Sequence, residues 1–80
     1  REMMLIKIQA EGEHRAEAHR MVEIYRGRVI DVTDSTYTVE LTGQGPKLDA
    51  FIEAVSGMNI VEVVRSGPAA IARGARGLTV

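Results

Sequence analysis

Along "EMMLIKIQA" (residues 2–10), Met4, Ile6 and Ile8 alternate with Leu5, Lys7 and Gln9, the period of two expected of a strand with one covered face. From Glu13 to Arg26 the period lengthens: Ala18, Met21, Val22 and Tyr25 recur at i, i+3, i+4 and i+7, which predicts a helix with one apolar stripe. Gly27 suits the left-handed position after its last turn. "RVIDVT" and "TYTVELT" are short β-branched runs separated by Asp34 and Ser35, whose side chains support tight turns, so they predict a hairpin. In the second run Tyr37, Val39 and Leu41 face one way, and Thr36, Thr38, Glu40 and Thr42 the other. Leu48, Phe51, Ile52 and Val55 restore the helical stripe. This second helix runs from about Pro46 to Ser56, with Gly45 as its cap, Pro46 in its first turn and Gly57 after its end. "NIVEVVRSG" is the last predicted strand.

The order β-α-β-β-α-β, with right-handed crossovers, places both helices on one face of a four-stranded antiparallel sheet. That is an α+β sandwich of the ferredoxin-like (ACT-like) type, with the first and third strands central and the second and fourth as edges. Residues 1–67 form this domain. Residues 68–80 carry glycines, a proline and no apolar stripe, and are expected to be a mobile tail.

Composition narrows the function classes. Eighty residues make one domain with little core left over for a deep pocket. The absence of cysteine excludes disulfides, thiolate metal sites and a cysteine nucleophile, and points to the cytoplasm. No apolar run is long enough to span a membrane and no signal-peptide pattern opens the chain. Because it begins at Arg1 rather than Met, it is expected to be a domain cut from a longer protein. The net charge of −1 is unevenly spread: every Asp and Glu lies at or before Glu62, leaving Arg65, Arg73 and Arg76 unopposed. Three arginines are fewer than a nucleic-acid footprint needs.

Candidate chemistry is sparse. "LTGQGPKLDAF" (residues 41–51) joins strand to helix through glycines and a lysine, as phosphate loops do, but lacks both GxxxxGK[ST] and GxGxxG. Its proline also removes a backbone donor, so it reads as a corner with a solvated Lys47. His14 and His19, five residues apart, diverge on a helix instead of stacking as a metal pair. Glu13 and Glu17 beside them offer at most a weak surface metal site. No serine has a histidine and an acid in a supportable arrangement, so no catalytic constellation is present. The uncovered sheet face would show Lys7, Gln9, Thr38 and Glu40 in place of the stacking aromatics of an RNA-binding sheet.

"MLIKIQA", "VEIYRGRVIDVT", "YTVELTG…KLDAF" and "IVEVVRSGPAAIARG", in this order and near these spacings, resemble the C-terminal domain of the regulatory (small) subunit of acetolactate synthase, also called acetohydroxyacid synthase. The resemblance covers about Glu2 to Gly74. Gly45-Pro46 departs from it, and the end after Gly74 has no clear counterpart. The family carries an ACT domain ahead of this one, which binds valine or another branched-chain amino acid at a dimer interface, and none of that domain is in this sequence.

The resemblance implies a non-catalytic regulatory domain in branched-chain amino acid biosynthesis. It would form a homodimer and couple to a catalytic large subunit, which holds thiamine diphosphate, a divalent metal and FAD. No catalytic, cofactor or metal residues carry over. The expected partner interface is the sheet face around Lys7, Thr38 and Glu40 together with Arg65, joined by Ile71 and Arg73 of the tail. The alternative is a free-standing ACT-like sensor that itself binds an amino acid or a metal, with an enzyme as a third reading. An ACT domain upstream in the intact reading frame, or copurification with a larger thiamine-dependent partner, separates the first two.

Overall fold

A computed structural model of the chain describes residues 1–67. Its elements are β1 (Glu2–Gln9), α1 (Glu13–Ile24), β2 (Arg28–Val32), β3 (Thr36–Gly43), α2 (Gly45–Ala54) and β4 (Ile60–Arg65). The strands form one antiparallel sheet in the order β2-β3-β1-β4, so the expected ferredoxin-like topology is what the chain adopts.

One core joins all the layers. Register sets Met4 opposite Leu41, Ile6 opposite Val39 and Ile8 opposite Tyr37, and these apolar residues pack beneath Ala18 and Val22 of α1 and Leu48 and Phe51 of α2. Tyr25 meets Phe51 edge to face, with ring centroids 5.3 Å apart and planes at 84°, a geometry favoured by the ring quadrupoles. No buried side-chain nitrogen or oxygen among the described residues lacks a hydrogen-bond partner.

The junctions differ from the sequence expectation in detail. Helix α1 ends in a Schellman turn, in which Gly27 N–H donates to Val22 C=O at 2.8 Å and Arg26 N–H to Glu23 C=O at 3.1 Å. The left-handed residue is Arg26 (φ 59) and not Gly27. Glycine is needed at 27 for a different reason: a Cβ there would lie 3.0 Å from the Glu40 carbonyl oxygen and 3.2 Å from a Leu41 methyl. The hairpin turn is held by Thr33, whose hydroxyl accepts from the backbone N–H of Ser35 and Thr36, and not by the side chains of Asp34 and Ser35. Helix α2 begins at Gly45, its cap is Gln44, and its C-cap is Val55, two residues before Gly57. Two bulges punctuate the sheet, one at Ile30 in β2 and one at Val61 in β4, each the residue skipped where the register shifts.

Candidate partner interface

Pairing register fixes what the uncovered face presents, because residues directly opposite one another on neighbouring strands share a side. One row across the sheet reads Asp31, Thr38, Lys7, Glu62, and the next reads Arg28, Glu40, Leu5, Val64. Lys7, Thr38 and Glu40 therefore do lie together on this face. Lys7 pairs with Glu62 at 3.7 Å and Arg28 with Glu40 at 2.9 Å. Both pairs are solvated and worth about 0–1 kcal/mol at most, so their value lies in setting a pattern of alternating sign. A shallow groove of about 340 Å³ runs between the rows, lined by Leu5, Lys7, Asp31, Thr38, Glu62 and Val64.

The face has an apolar corner that the sequence reading did not single out. Met3 and Leu5 stand on β1 on the same side as Val64 of β4, with Met3 40% and Val64 54% exposed. The signal was present in "IVEVVR", whose valines occupy both parities of a strand, so that one set must lie on the side the helices do not cover.

Arg65 is not part of this face. Its register partner is Met4, a fully buried core residue, so Arg65 projects to the helix side. There its guanidinium donates from Nε to Glu2 Oε1 at 2.8 Å and from Nη1 to Asp49 Oδ1 at 2.6 Å. It ties β4 to β1 and to α2, which is a structural role at one end of the sandwich. The Arg65 hydrogen bond is the main reason that the Glu2 carboxyl is held below its ordinary value of 4.5. The same bonds, Glu2 first and then Asp49, hold Arg65 protonated more firmly still.

A carboxyl with a depressed folded-state pKa stabilises the fold fully above its unfolded value and ceases to do so as pH falls through the folded one. The Glu2–Arg65 contribution should therefore be complete above about pH 4.5 and vanish in more acidic solution. Glu2→Gln is expected to melt below the parent chain at pH 7, with the two melting curves converging as the solution is acidified below the ordinary carboxyl range. A constant gap between them across that range would show that Glu2 acts through packing and not through its charge.

The remaining candidates occupy unremarkable places. Lys47 is half-buried rather than fully solvated: it folds over Gly43, where an added Cβ would meet Lys47 Cδ at 2.7 Å, and its ammonium donates to the Thr42 carbonyl at 3.2 Å. The residue 41–51 loop thus turns a corner, with its lysine spent on the end of β3. His14 is exposed on α1, and His19 lies 3.7 Å from Glu23 one turn on. Among the described residues no cluster of three or more His, Cys, Asp or Glu side chains is placed to hold a metal ion, and no helix is long and apolar enough to cross a membrane. Ile71 and Arg73, and the expected mobile tail, lie outside the described residues.

Comparison with known proteins places this architecture among relatives. The sequence profile of a family described as the small subunit of acetolactate synthase matches residues 1–74. The acetolactate synthase isozyme 3 small subunit of Escherichia coli is 53% identical over 75 residues, covering 92% of this chain and 46% of that protein. A probable acetolactate synthase small subunit of Methanothermobacter thermautotrophicus is 42% identical over 77 residues, covering 95% of this chain and 46% of its own length. The crystal structure of the acetolactate synthase small subunit from Thermotoga maritima superposes with a TM-score of 0.76 at 38% identity, over 82% of this chain and 40% of that one. The chain spans about half the length of the curated relatives it matches.

Proposed function

Because the chain belongs to the acetolactate synthase small-subunit family, we propose that it is a non-catalytic regulatory domain that docks on the catalytic large subunit in branched-chain amino acid biosynthesis. The observation that carries this reading is the uncovered sheet face. It combines an apolar corner at Met3, Leu5 and Val64 with alternating charges at Lys7, Glu62, Arg28 and Glu40. Apolar contact supplies affinity to a protein interface, while a fixed pattern of sign supplies orientation. Thiamine diphosphate, a divalent metal and FAD belong, on this reading, to the large subunit, and the chain works in the cytoplasm beside it. Sensing of valine is assigned to the part of the regulatory subunit that precedes this domain.

The test is capture of a purified acetolactate synthase large subunit on the immobilised chain. The double variant Lys7→Glu, Glu40→Arg reverses the charge pattern without touching the core, and it should weaken capture by at least about tenfold, equivalent to 1.4 kcal/mol. Arg20→Glu, on exposed α1 surface, should leave it unchanged. Titration of the chain with valine should give no heat of binding. Equal capture by the double variant would remove the sheet face from the interface. Saturable valine binding without capture would favour the free-standing sensor.

A further inference from the structure

Arg65 lies directly behind the apolar corner of the sheet face. Successive residues of a strand point to opposite sides, so Val64 and Ser66, which flank Arg65, stand on the open face while Arg65 stands on the helix side. Across the β1–β4 ladder Val64 is opposite Leu5, and Ser66 is bonded to Met3. Among the described strands β4 pairs with β1 alone, so its last residues are held from one side only, and strand ends so placed are the first to open.

The ladder is already irregular at this end. Ser66 N–H donates to Met3 C=O at 2.9 Å, but Met3 N–H donates at 2.9 Å to the Ser66 hydroxyl and not to its carbonyl. The hydroxyl in turn donates to Gly67 C=O at 3.1 Å, and Gly67 has φ 79, so the chain turns away from β1 here. One residue earlier the guanidinium supplies a second attachment. Arg65 Nε donates to Glu2 Oε1 at 2.8 Å and Nη1 to Asp49 Oδ1 at 2.6 Å, and the Glu2 side chain is only 11% exposed. Bonds between ionised partners are the shorter and stronger kind. Because the two carboxylates come from β1 and α2 and meet different nitrogens of one planar group, they fix its direction as well as its position.

We infer that Arg65 is a positioning residue of the docking face: from the helix side, its bonds to Glu2 and Asp49 hold the end of β4 where Val64 lies beside Leu5 and Met3. Arg65 acts on the partner only through that corner, since its own guanidinium is turned away from the open face. The inference rests on the reading that the sheet face docks on the large subunit, and it names the side chain that keeps the apolar part of that face in place. Lysine does not replace it, because an ammonium on a flexible stem lacks the rigid fork that sets two carboxylates at fixed positions.

With no large subunit present, amide exchange followed by NMR should show the Ser66 N–H exchanging at least about tenfold faster in Arg65→Gln, with a smaller change at Val39 in central strand β3. Capture of the purified large subunit is then compared among the parent, Arg65→Gln, Val64→Ala and the double variant, at a temperature where each is folded by circular dichroism. Arg65→Gln and Arg65→Lys should each weaken capture by at least about threefold, and the double variant should lose no more than the worse of its two single variants. A residue that only stabilises the fold would leave capture unchanged while the chain stays folded, and one that touched the partner itself would give losses that multiply. Should Arg65→Gln fail to fold, Asp49→Asn takes its place in the cycle, since it removes one arm at a carboxylate that is 68% exposed. A parent chain that captures no large subunit would refute the docking reading and the positioning role with it. Capture by the parent together with equal capture by Arg65→Gln, multiplying losses, or equal acceleration of exchange at Ser66 and Val39 would overturn the positioning role alone.

Discussion

Phe51→Ala is expected to remove about 3–5 kcal/mol of the stability of the fold. Phe51 is fully buried, sits edge-on against Tyr25, and belongs to the cluster that joins α2 to the sheet beneath it. Truncating a buried phenylalanine costs about 3–5 kcal/mol through lost burial and the cavity left behind. A chain of 80 residues has a total stability of about 4–12 kcal/mol. The loss is thus a large share of the whole and should lower Tm by at least about 12 °C. Calorimetry or thermal circular dichroism reads the effect directly. A fall of only a degree or two would mean that α2 can settle into the space and that the core is less tightly jointed than its burial indicates. Phe51→Leu, which keeps most of the volume, should recover much of the loss.

Gly27→Val is expected to destabilise by about 1–3 kcal/mol through overpacking. The constraint is spatial, because Gly27 has no positive φ. It lies where the chain leaves α1 and passes close beneath β3, and the nearest obstacle to a Cβ is the backbone oxygen of Glu40 at 3.0 Å, followed by Leu41 Cδ1 at 3.2 Å and Val39 Cγ1 at 3.3 Å. A carbonyl in a central strand cannot swing aside as a side-chain tip can, so the strain must move the helix end or part the β2–β3 pair. Gly27→Ala should show a smaller loss in the same direction. Denaturant unfolding compares the three chains. Undiminished stability of Gly27→Val would show that the α1–β2 junction shifts outward without cost.

These positions also mark the limit of what sequence alone determined. The alternation of Met4, Ile6 and Ile8, the stripe of Leu48, Phe51, Ile52 and Val55, and the β-branched pair of runs around Asp34 each report a local period, and a local period follows from which side of an element meets water. Element order, the helix-covered face and the central placing of β1 and β3 were legible for that reason, since right-handed crossovers leave few ways to assemble those pieces. Lys7, Thr38 and Glu40 were placed together by the same parity.

What parity cannot supply is register, and register decided the rest. Arg65 looked like a free basic residue at a strand end, but pairing it with Met4 turned it to the helix side, where Glu2 and Asp49 receive it from segments 63 and 16 residues away. Gly27 read as a helix stop because the demand on it comes from Glu40, which is distant in the chain and adjacent only once β2 lies against β3. The apolar corner likewise arises only when Met3, Leu5 and Val64 are brought side by side, and the bulges at Ile30 and Val61 only when β2 meets β3 and β4 meets β1. Side-chain period is a property of one strand, whereas the meeting of two strands depends on contacts between residues far apart in sequence, and those are settled only when the whole core closes.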